Sequence, residues 1–336
     1  MDTAEAERTG PEGPAYRERR AGRTLALRTA ALLLAGVSVV VVCRAADTDG
    51  ITPVPQLLAF LPWLLAPTGL ALLLALFARW RTGLVWGVAL LGCVAWFTEP
   101  YGRAADPAGG PVAELRVMTS NVEFGRGTDS LIDAMRQRRP DILFVEECEY
   151  GCSRALRDAF GGSGGVYPYR EAVEGAGSDG SVVMSRFPLK GSAGVRGTMG
   201  MPGAVADVRG HAVRVQLAHP MPPLPGQLDV WRRELGELRD YAAASREPTV
   251  LAGDFNASQD HAAFRRLLDT GLRDGARLAG SPRTPSWPAG TTPEFGAQID
   301  HVLVSPDFSA ARAAFLRIDG SDHRALVVDL TLHRRG

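Results

Sequence analysis

Gly320-Ser321-Asp322-His323-Arg324 leads straight into Ala325-Leu326-Val327-Val328-Asp329-Leu330, and this junction decides the fold. The apolar, β-branched run reads as a strand, so the polar cluster sets an acid and a base at its N-terminal mouth. On its own such a cluster is the solvated entry loop of a strand. Other runs carry groups of the same kind. Asn121 closes the run 115–120, Glu147 closes 142–146, His219 closes 213–218, Asp254 and Asn256 follow 249–253, and Asp300 opens 299–304. Four of these groups stand at the C-terminal end of a run and two at the N-terminal end. One shared rim therefore requires strands of both directions. A purely parallel sheet, whose ligands lie beyond the carboxyl ends, would leave Asp300 and Asp322-His323 on the wrong side.

Helical patterns alternate with these strands. The stretch 130–139 sets Leu131, Ile132 and Met135 on one side and stops before Pro140. The stretch 227–246 repeats Leu228, Trp231, Leu235, Leu238 and Ala242 at spacings of three and four, and 261–272 does so with Phe264, Leu267 and Leu268. Helices interspersed among strands of both directions predict an α/β fold of two facing mixed sheets with helices outside. The proline-rich stretches 220–226 and 281–290 are candidate walls of a substrate cleft.

The 336 residues exceed one average domain. Residues 1–24 are polar, with Pro11, Pro14 and an arginine cluster at 17, 19, 20 and 23, and are expected to form a disordered cytoplasmic tail. The stretch 25–43 is nearly all apolar and about long enough to cross a bilayer. A cleavable signal peptide competes for it, but apolar segments at 56–78 and 82–98 follow, so three transmembrane helices are the economical reading. Arginines crowd the tail and the loop around Arg79-Trp80-Arg81, whereas 44–55 holds one arginine against Asp47 and Asp49. Tail and second loop are then inside, and everything after the third span is outside. Residues 99–112, with Pro100, Pro107 and Pro111, read as a linker of at most ~45 Å, followed by a catalytic domain over 113–336.

Net charge is zero, Lys190 is the only lysine, and residues 101–336 hold 28 basic and 29 acidic side chains. The excess of basic groups on which nucleic-acid grip depends is absent from that total. Cys43 and Cys93 lie in apolar spans as small hydrophobes. Cys148 and Cys152 flank Glu149-Tyr150-Gly151 and are either a local disulfide, permitted outside the cell, or a metal pair that lacks further Cys or His partners. Glu147, beside Glu146, offers the hard oxygens that suit Mg²⁺ or Mn²⁺. The scattered histidines do not make a tetrahedral zinc site.

Thr119-Ser120-Asn121-Val122, Pro140-Asp141-Ile142-Leu143-Phe144-Val145-Glu146-Glu147, Met184-Ser185-Arg186-Phe187-Pro188-Leu189, Ala218-His219, Gly253-Asp254-Phe255-Asn256-Ala257-Ser258, Ile299-Asp300-His301-Val302 and Ser321-Asp322-His323-Arg324 resemble, in order, the motifs of the endonuclease/exonuclease/phosphatase superfamily. The likeness covers about residues 113–333. With the apolar segments added, the chain is similar to membrane-anchored VanJ-type proteins, associated with teicoplanin resistance and lipid-carrier phosphatase chemistry.

The resemblance implies a four-layer α/β sandwich and a Mg²⁺ (or Mn²⁺) cofactor. Its catalytic set would be His219, Asp254, Asn256, Asp300 and His323, and its metal set Asn121, Glu147 and Asp322. In that scheme Asp254 orients or deprotonates a water and Asn256 hydrogen-bonds the phosphoryl group. His219 and His323 stabilise the developing charge, and Asp300 holds His323. His301 reads as a packing neighbour of Asp300. Glu146 stands where Gln is frequent, and Ala325 where Pro often follows the Arg. The expected activity is hydrolysis of a lipid-linked (polyprenyl or undecaprenyl) pyrophosphate by a multi-pass cell-membrane protein whose catalytic domain is extracytoplasmic. The alternatives are an extracytoplasmic nuclease or a phospholipid phosphodiesterase. The expected partners are that lipid and the membrane, with no obligate protein partner.

Overall fold

The computed structural model describes residues 14–102, 107–162, 164–291 and 295–335. They form two compact units: the described residues up to Val42 with Leu61–Glu99, and Cys43–Phe60 with Pro100 onward. In the N-terminal region α1 spans Pro14–Ala45, α2 Val54–Ala59, α3 Leu65–Phe77 and α4 Arg81–Phe97, with a 3-10 turn at Leu61–Leu64 ahead of α3. Glu18–Ala45 is, among the described residues, the one helix long and apolar enough to cross a membrane. Leu61–Phe77 and Arg81–Phe97 are apolar and shorter. The 17 residues of α4 span ~25 Å at 1.5 Å per residue.

Two expected boundaries move. Residues 14–24 of the expected tail are helical, because Pro14 suits a first helical position and the Arg, Glu and Ala that follow are good helix formers; residues 1–13 lie outside the described residues. The expected span 56–78 is split after Ala59, and its first residues belong to the second unit. Pro62 has no N–H to continue the helix from α2, which supplies the physical reason for the break.

In the second unit β1 spans Pro111–Asn121, α5 Thr128–Arg138, β2 Ile142–Glu146, α6 Tyr150–Phe160, β3 Tyr169–Val173, β4 Ser181–Ser185 and β5 Leu189–Ser192. Then come β6 (Gly203–Val208), β7 (His211–Ala218), α7 (Leu228–Ala244), β8 (Thr249–Asp254), α8 (Ala262–Leu268), β9 (Arg273–Asp274) and α9 (Gly275–Leu278). The chain closes with β10 (Asp300–Val304), β11 (Phe308–Arg317) and β12 (Arg324–His333). The strands make two six-stranded sheets, ordered β11-β12-β1-β2-β4-β3 and β5-β6-β7-β8-β10-β9. Each sheet is mixed, with β1 parallel to β2 and β7 parallel to β8 among antiparallel neighbours.

Alternation along each strand sorts the side chains by face. Leu115, Val117, Phe144 and Val328 meet Val215, Leu217, Val250 and Val302 between the sheets. On the outer faces Leu131, Met135 and Leu156 of α5 and α6 cover Met118 and Leu143, and Trp231, Leu238 and Phe264 cover Leu251 and Leu303. The layers run helix, sheet, sheet, helix, as the alternation of patterns predicts.

The strand directions place the rim. Thr119 near the end of β1 pairs with Leu326 near the start of β12, and Asp254 at the end of β8 pairs with Asp300 at the start of β10. Gly253 has φ +152°, and a Cβ there would lie 1.9 Å from the Ala218 carbonyl oxygen, so only glycine lets β8 approach the end of β7 beside His219.

The expected 99–112 linker is partly ordered against this unit. The Tyr101 N–H donates to Gln259 Oε1 at 2.7 Å and its hydroxyl to Asp269 at 2.8 Å, and β1 begins at Pro111. Residues 103–106 lie outside the described residues. Residues 43–60 are tied to the same unit. Asp49, 2% exposed, accepts the Ala262 and Ala263 N–H groups at 2.6 and 3.2 Å. Asp47 meets Arg265 at 2.6 Å, and His261 Nε2 lies 2.8 Å from the Pro55 carbonyl. Cys148 and Cys152, Cα atoms 5.1 Å apart, form a disulfide across the turn after Glu147.

Candidate active site

Asp300 and His323 make the centre of the rim. His323 Nδ1 lies 2.9 Å from Asp300 Oδ2, both side chains buried, and His323 Nε2 lies 3.7 Å from Asp254 Oδ2. Burial opposes charge on the imidazole, but Asp300 and then Asp254 outweigh it and raise its pKa to about 10. Burial likewise pushes the Asp254 carboxyl up, the His323 charge offsets part of that, and the result is about 7. An imidazolium thus sits beside a carboxyl poised to exchange a proton near neutrality, the arrangement general acid–base chemistry needs.

Asn121 bridges two carboxylates. Its Nδ2 donates to Glu147 Oε1 at 3.1 Å and to Asp254 Oδ2 at 3.2 Å, while its Oδ1 accepts the Glu123 N–H at 2.9 Å. Glu147 has φ +54°, a left-handed conformation that costs a non-glycine residue of order 1 kcal/mol. Glu147 Oε2 takes the Phe124 N–H at 3.1 Å. His219 Nε2 stands 3.9 Å from Glu147 Oε1. Burial, then the charge of His323, lowers the His219 pKa to about 3. Neutral His219 therefore offers a phosphoryl oxygen an N–H rather than a full charge.

Asn256, also at positive φ (+47°), donates through its backbone N–H to Asp254 Oδ1 at 2.8 Å and through Nδ2 to the Pro220 carbonyl at 3.1 Å. Asp322 Oδ1 lies 3.8 Å from His323 Nε2, and Asp322 Oδ2 accepts the Trp287 indole N–H at 2.9 Å. All eight sequence-predicted residues gather on this rim. His301, one residue past Asp300, points to the opposite face, with Nδ1 2.6 Å from Asp274 and Nε2 3.0 Å from the Ala257 carbonyl.

For a divalent cation, Glu147 and Asp322 supply hard carboxylate oxygens on side chains 16% and 46% exposed, and the Asn121 amide N–H orients Glu147 while its own oxygen accepts the Glu123 N–H. Buried Asp300 Oδ1 and His219 Nδ1 have no hydrogen-bond partner among the described residues, so the rim is built for more polar contact than the protein itself makes. This donor chemistry fits Mg²⁺ or Mn²⁺. Asp254, Asp300 and His323 also offer ligand atoms within 4.8 Å of one another. Because His323 Nδ1 is engaged by Asp300, that trio reads as a carboxylate-held imidazole instead.

Glu146 is fully buried on the inner side of β2. Thr119 Oγ1 donates to its Oε1 at 3.0 Å, and burial, then the Asp300 charge, pushes its carboxyl well above the usual range. Sequence reasoning missed Trp287, which holds Asp322. Its signal was an indole inside a proline-rich stretch already marked as a cleft wall. It also missed residues 43–60, whose partners lie some two hundred positions away with no local signature.

A family model described as the Endonuclease/Exonuclease/phosphatase family matches residues 118–323. The chain belongs to that family. Its members are hydrolases of phosphoester bonds and typically use divalent metals. The UPF0294 protein of Erwinia tasmaniensis is 28% identical over 109 residues, 32% of this chain and 37% of that relative, so the match spans little more than a third of its length. Among solved structures, humanised D. rerio TDP2 is similar at TM-score 0.54 and 15% identity over 65% of this chain and 99% of that one. D. rerio TDP2 complexed with a single-strand DNA product follows at 0.52 and 15%, over 65% and 99%. An endonuclease/exonuclease/phosphatase from Beutenbergia cavernae matches at 0.50 and 22%, over 66% and 72%. These structural likenesses show the fold.

Two measurements test the site. Chelation is expected to abolish phosphoester hydrolysis and Mg²⁺ or Mn²⁺ to restore it, with Glu147→Gln raising the metal concentration for half-activation by at least tenfold and Glu146→Gln much less. Equal effects of the two changes would assign the ligand wrongly. The pH dependence of kcat/KM gives the second check. Asp254 must be ionised, so activity falls as pH drops through about 7; His323 must be protonated, so activity falls as pH rises through about 10. Asp300→Asn removes the charge that holds the His323 proton, and its alkaline limb is expected at lower pH.

Proposed function

We propose that this phosphoesterase is membrane-anchored and hydrolyses a lipid-linked pyrophosphate, of the polyprenyl or undecaprenyl kind, at the outer face of the membrane. One observation carries the reading: residues 43–60, which join the first apolar helix to the second, belong to the same compact unit as residues from Pro100 onward. That unit lies on one side of any bilayer, so the helices 61–77 and 81–97 either both cross or neither does. With the long helix of 18–45 they make three crossings, and the arginine asymmetry puts the shared unit outside. The Cys148–Cys152 disulfide is at home there. A catalytic unit joined to apolar helices at Val42, Phe60 and Glu99 meets membrane-partitioned substrates at high local concentration. A soluble nucleic acid gains nothing from that tether.

In the proposed reaction a water attacks the terminal phosphorus, giving its proton to Asp254, and the phosphoanhydride P–O bond breaks with its electron pair on the departing phosphate oxygen. His323, charged and held by Asp300, and the N–H of His219 stabilise the phosphoryl oxygens, and Asn256 orients them. A divalent ion held by Glu147 and Asp322, with Asn121 orienting Glu147, would neutralise phosphate charge. The likeness to VanJ-type proteins extends the proposal to teicoplanin resistance.

Purified full chain with Mg²⁺ is to be given undecaprenyl pyrophosphate, a short-chain prenyl pyrophosphate, a sphingomyelin-type phosphodiester lipid and single- and double-stranded DNA in parallel. Phosphate release from the prenyl substrates, lost in His323→Ala, is expected; DNA cut faster than any lipid is hydrolysed would replace the phosphatase with a nuclease. Protease added to intact spheroplasts is expected to release a fragment beginning within 99–112. A protected C-terminal domain would overturn the outer-face assignment.

A further inference from the structure

Beside the reacting groups lies a cavity of about 270 Å³ whose apolar part the hydrolytic chemistry does not use. Its polar end is His323 and Asn256. The rest is mostly apolar: Ala59 and Phe60 from the segment between the first two apolar helices, Pro222 and Leu224 from the proline-rich loop after β7, and Trp287 and Ile299 from the chain before β10. The walls are tied together. The Gln56 amide donates to the Pro223 carbonyl, and Phe60 packs edge-on to Trp287 and stacks on Phe295 at centroid distances of 6.2 and 5.7 Å. Trp287 in turn donates to Asp322. The apolar wall therefore runs without a break from residue 60 to the carboxylate next to His323.

We propose that this cavity is the subsite for the hydrocarbon chain of the substrate, taking the carbons nearest the phosphoryl group. This rests on the lipid-linked reading above and names the part of the lipid that is recognised. An apolar pocket opening onto a charged imidazole and an amide suits a ligand apolar at one end and anionic at the other. At ~30 Å³ per non-hydrogen atom, the volume of a liquid water, the cavity holds roughly nine atoms, close to two isoprene units. Leu224, 50% exposed, leaves a way out for a longer chain. Residues 55–60, just ahead of the second apolar helix, thus form part of the wall that recognises the lipid.

The test uses the full chain in nanodiscs. A ten-carbon alkyl diphosphate bearing a diazirine near its middle is expected to label peptides containing Phe60, Leu224 or Trp287, and undecaprenyl phosphate is expected to compete. Labelling confined to residues 61–97 would overturn the subsite whether or not any prenyl substrate is turned over. For turnover, the ratio of kcat/KM for ten-carbon over five-carbon prenyl pyrophosphate is expected to fall roughly tenfold in Phe60→Ala and in Leu224→Ser, the second lying on an exposed loop where folding is not at stake. Hydrolysis with an unchanged ratio in both sinks the subsite and leaves the proposed function standing. Labelling at the cavity without hydrolysis of any prenyl pyrophosphate supports the subsite and sinks the proposed reaction.

Discussion

The contact on which the rest of the site depends is the one between Asp300 and His323, because it joins two sheets. Asp300 opens a strand of the second sheet and His323 precedes a strand of the first. Their 2.9 Å pairing is made in a buried setting where an unpartnered charge would cost several kcal/mol. The sandwich must hold both rims level to within a hydrogen bond. The apolar interior between the sheets provides the area that does so, with Phe144, Val215 and Val302 wholly buried. The pair then sets the neighbouring chemistry: it keeps the imidazole charged, and that charge helps hold His219 neutral while restraining the upward shift of Asp254.

A second layer of contacts fixes the groups around the pair. Asn121 spreads one amide over Glu147 and Asp254, Ser321 Oγ donates to the Asn121 carbonyl and accepts the His323 N–H, and Ser286 Oγ accepts the N–H groups of Ile299 and Asp300. All of these except the Ser321–His323 bond, which lies within one turn, tie one motif to another across more than ten residues of chain. Trp287 extends the network to Asp322, and through Phe60 to the segment that leaves the catalytic unit for the apolar helices. The rim and the segment that leads to the apolar helices therefore share side chains. Asp49 illustrates the cost of that arrangement: a buried carboxylate outside the rim accepts two N–H groups at the start of α8.

How much was legible follows from what is local. Strands ending at or just before Asn121, Glu147, His219 and Asp254, and strands starting at Asp300 and just after His323, could be read because apolar alternation and polar punctuation are properties of a few consecutive residues. Their mixed directions followed from requiring one rim. The break after Ala59 was misread as part of a continuous span because hydropathy runs through Pro62 without change, while the backbone cannot. The protonation states were out of reach as well. Glu146 and Glu147 are identical neighbours in sequence, yet alternation buries the first inside the sandwich and turns the second to the rim.

By itself the sequence determined the family, the mixed α/β sandwich, the acids, bases and amides of the rim, and one apolar helix long enough for a membrane, since each is written in short-range pattern and residue chemistry. Only the tertiary structure decided that the Cys148–Cys152 pair closes as a disulfide, that Trp287 holds Asp322, and that residues 43–60 belong with residues from Pro100 onward. The reason is physical. Asp49 with Ala262, Pro55 with His261 and Phe60 with Trp287 are pairings across some two hundred residues, and at that separation complementarity exists only in the folded chain, where burial favours a partner for a polar group.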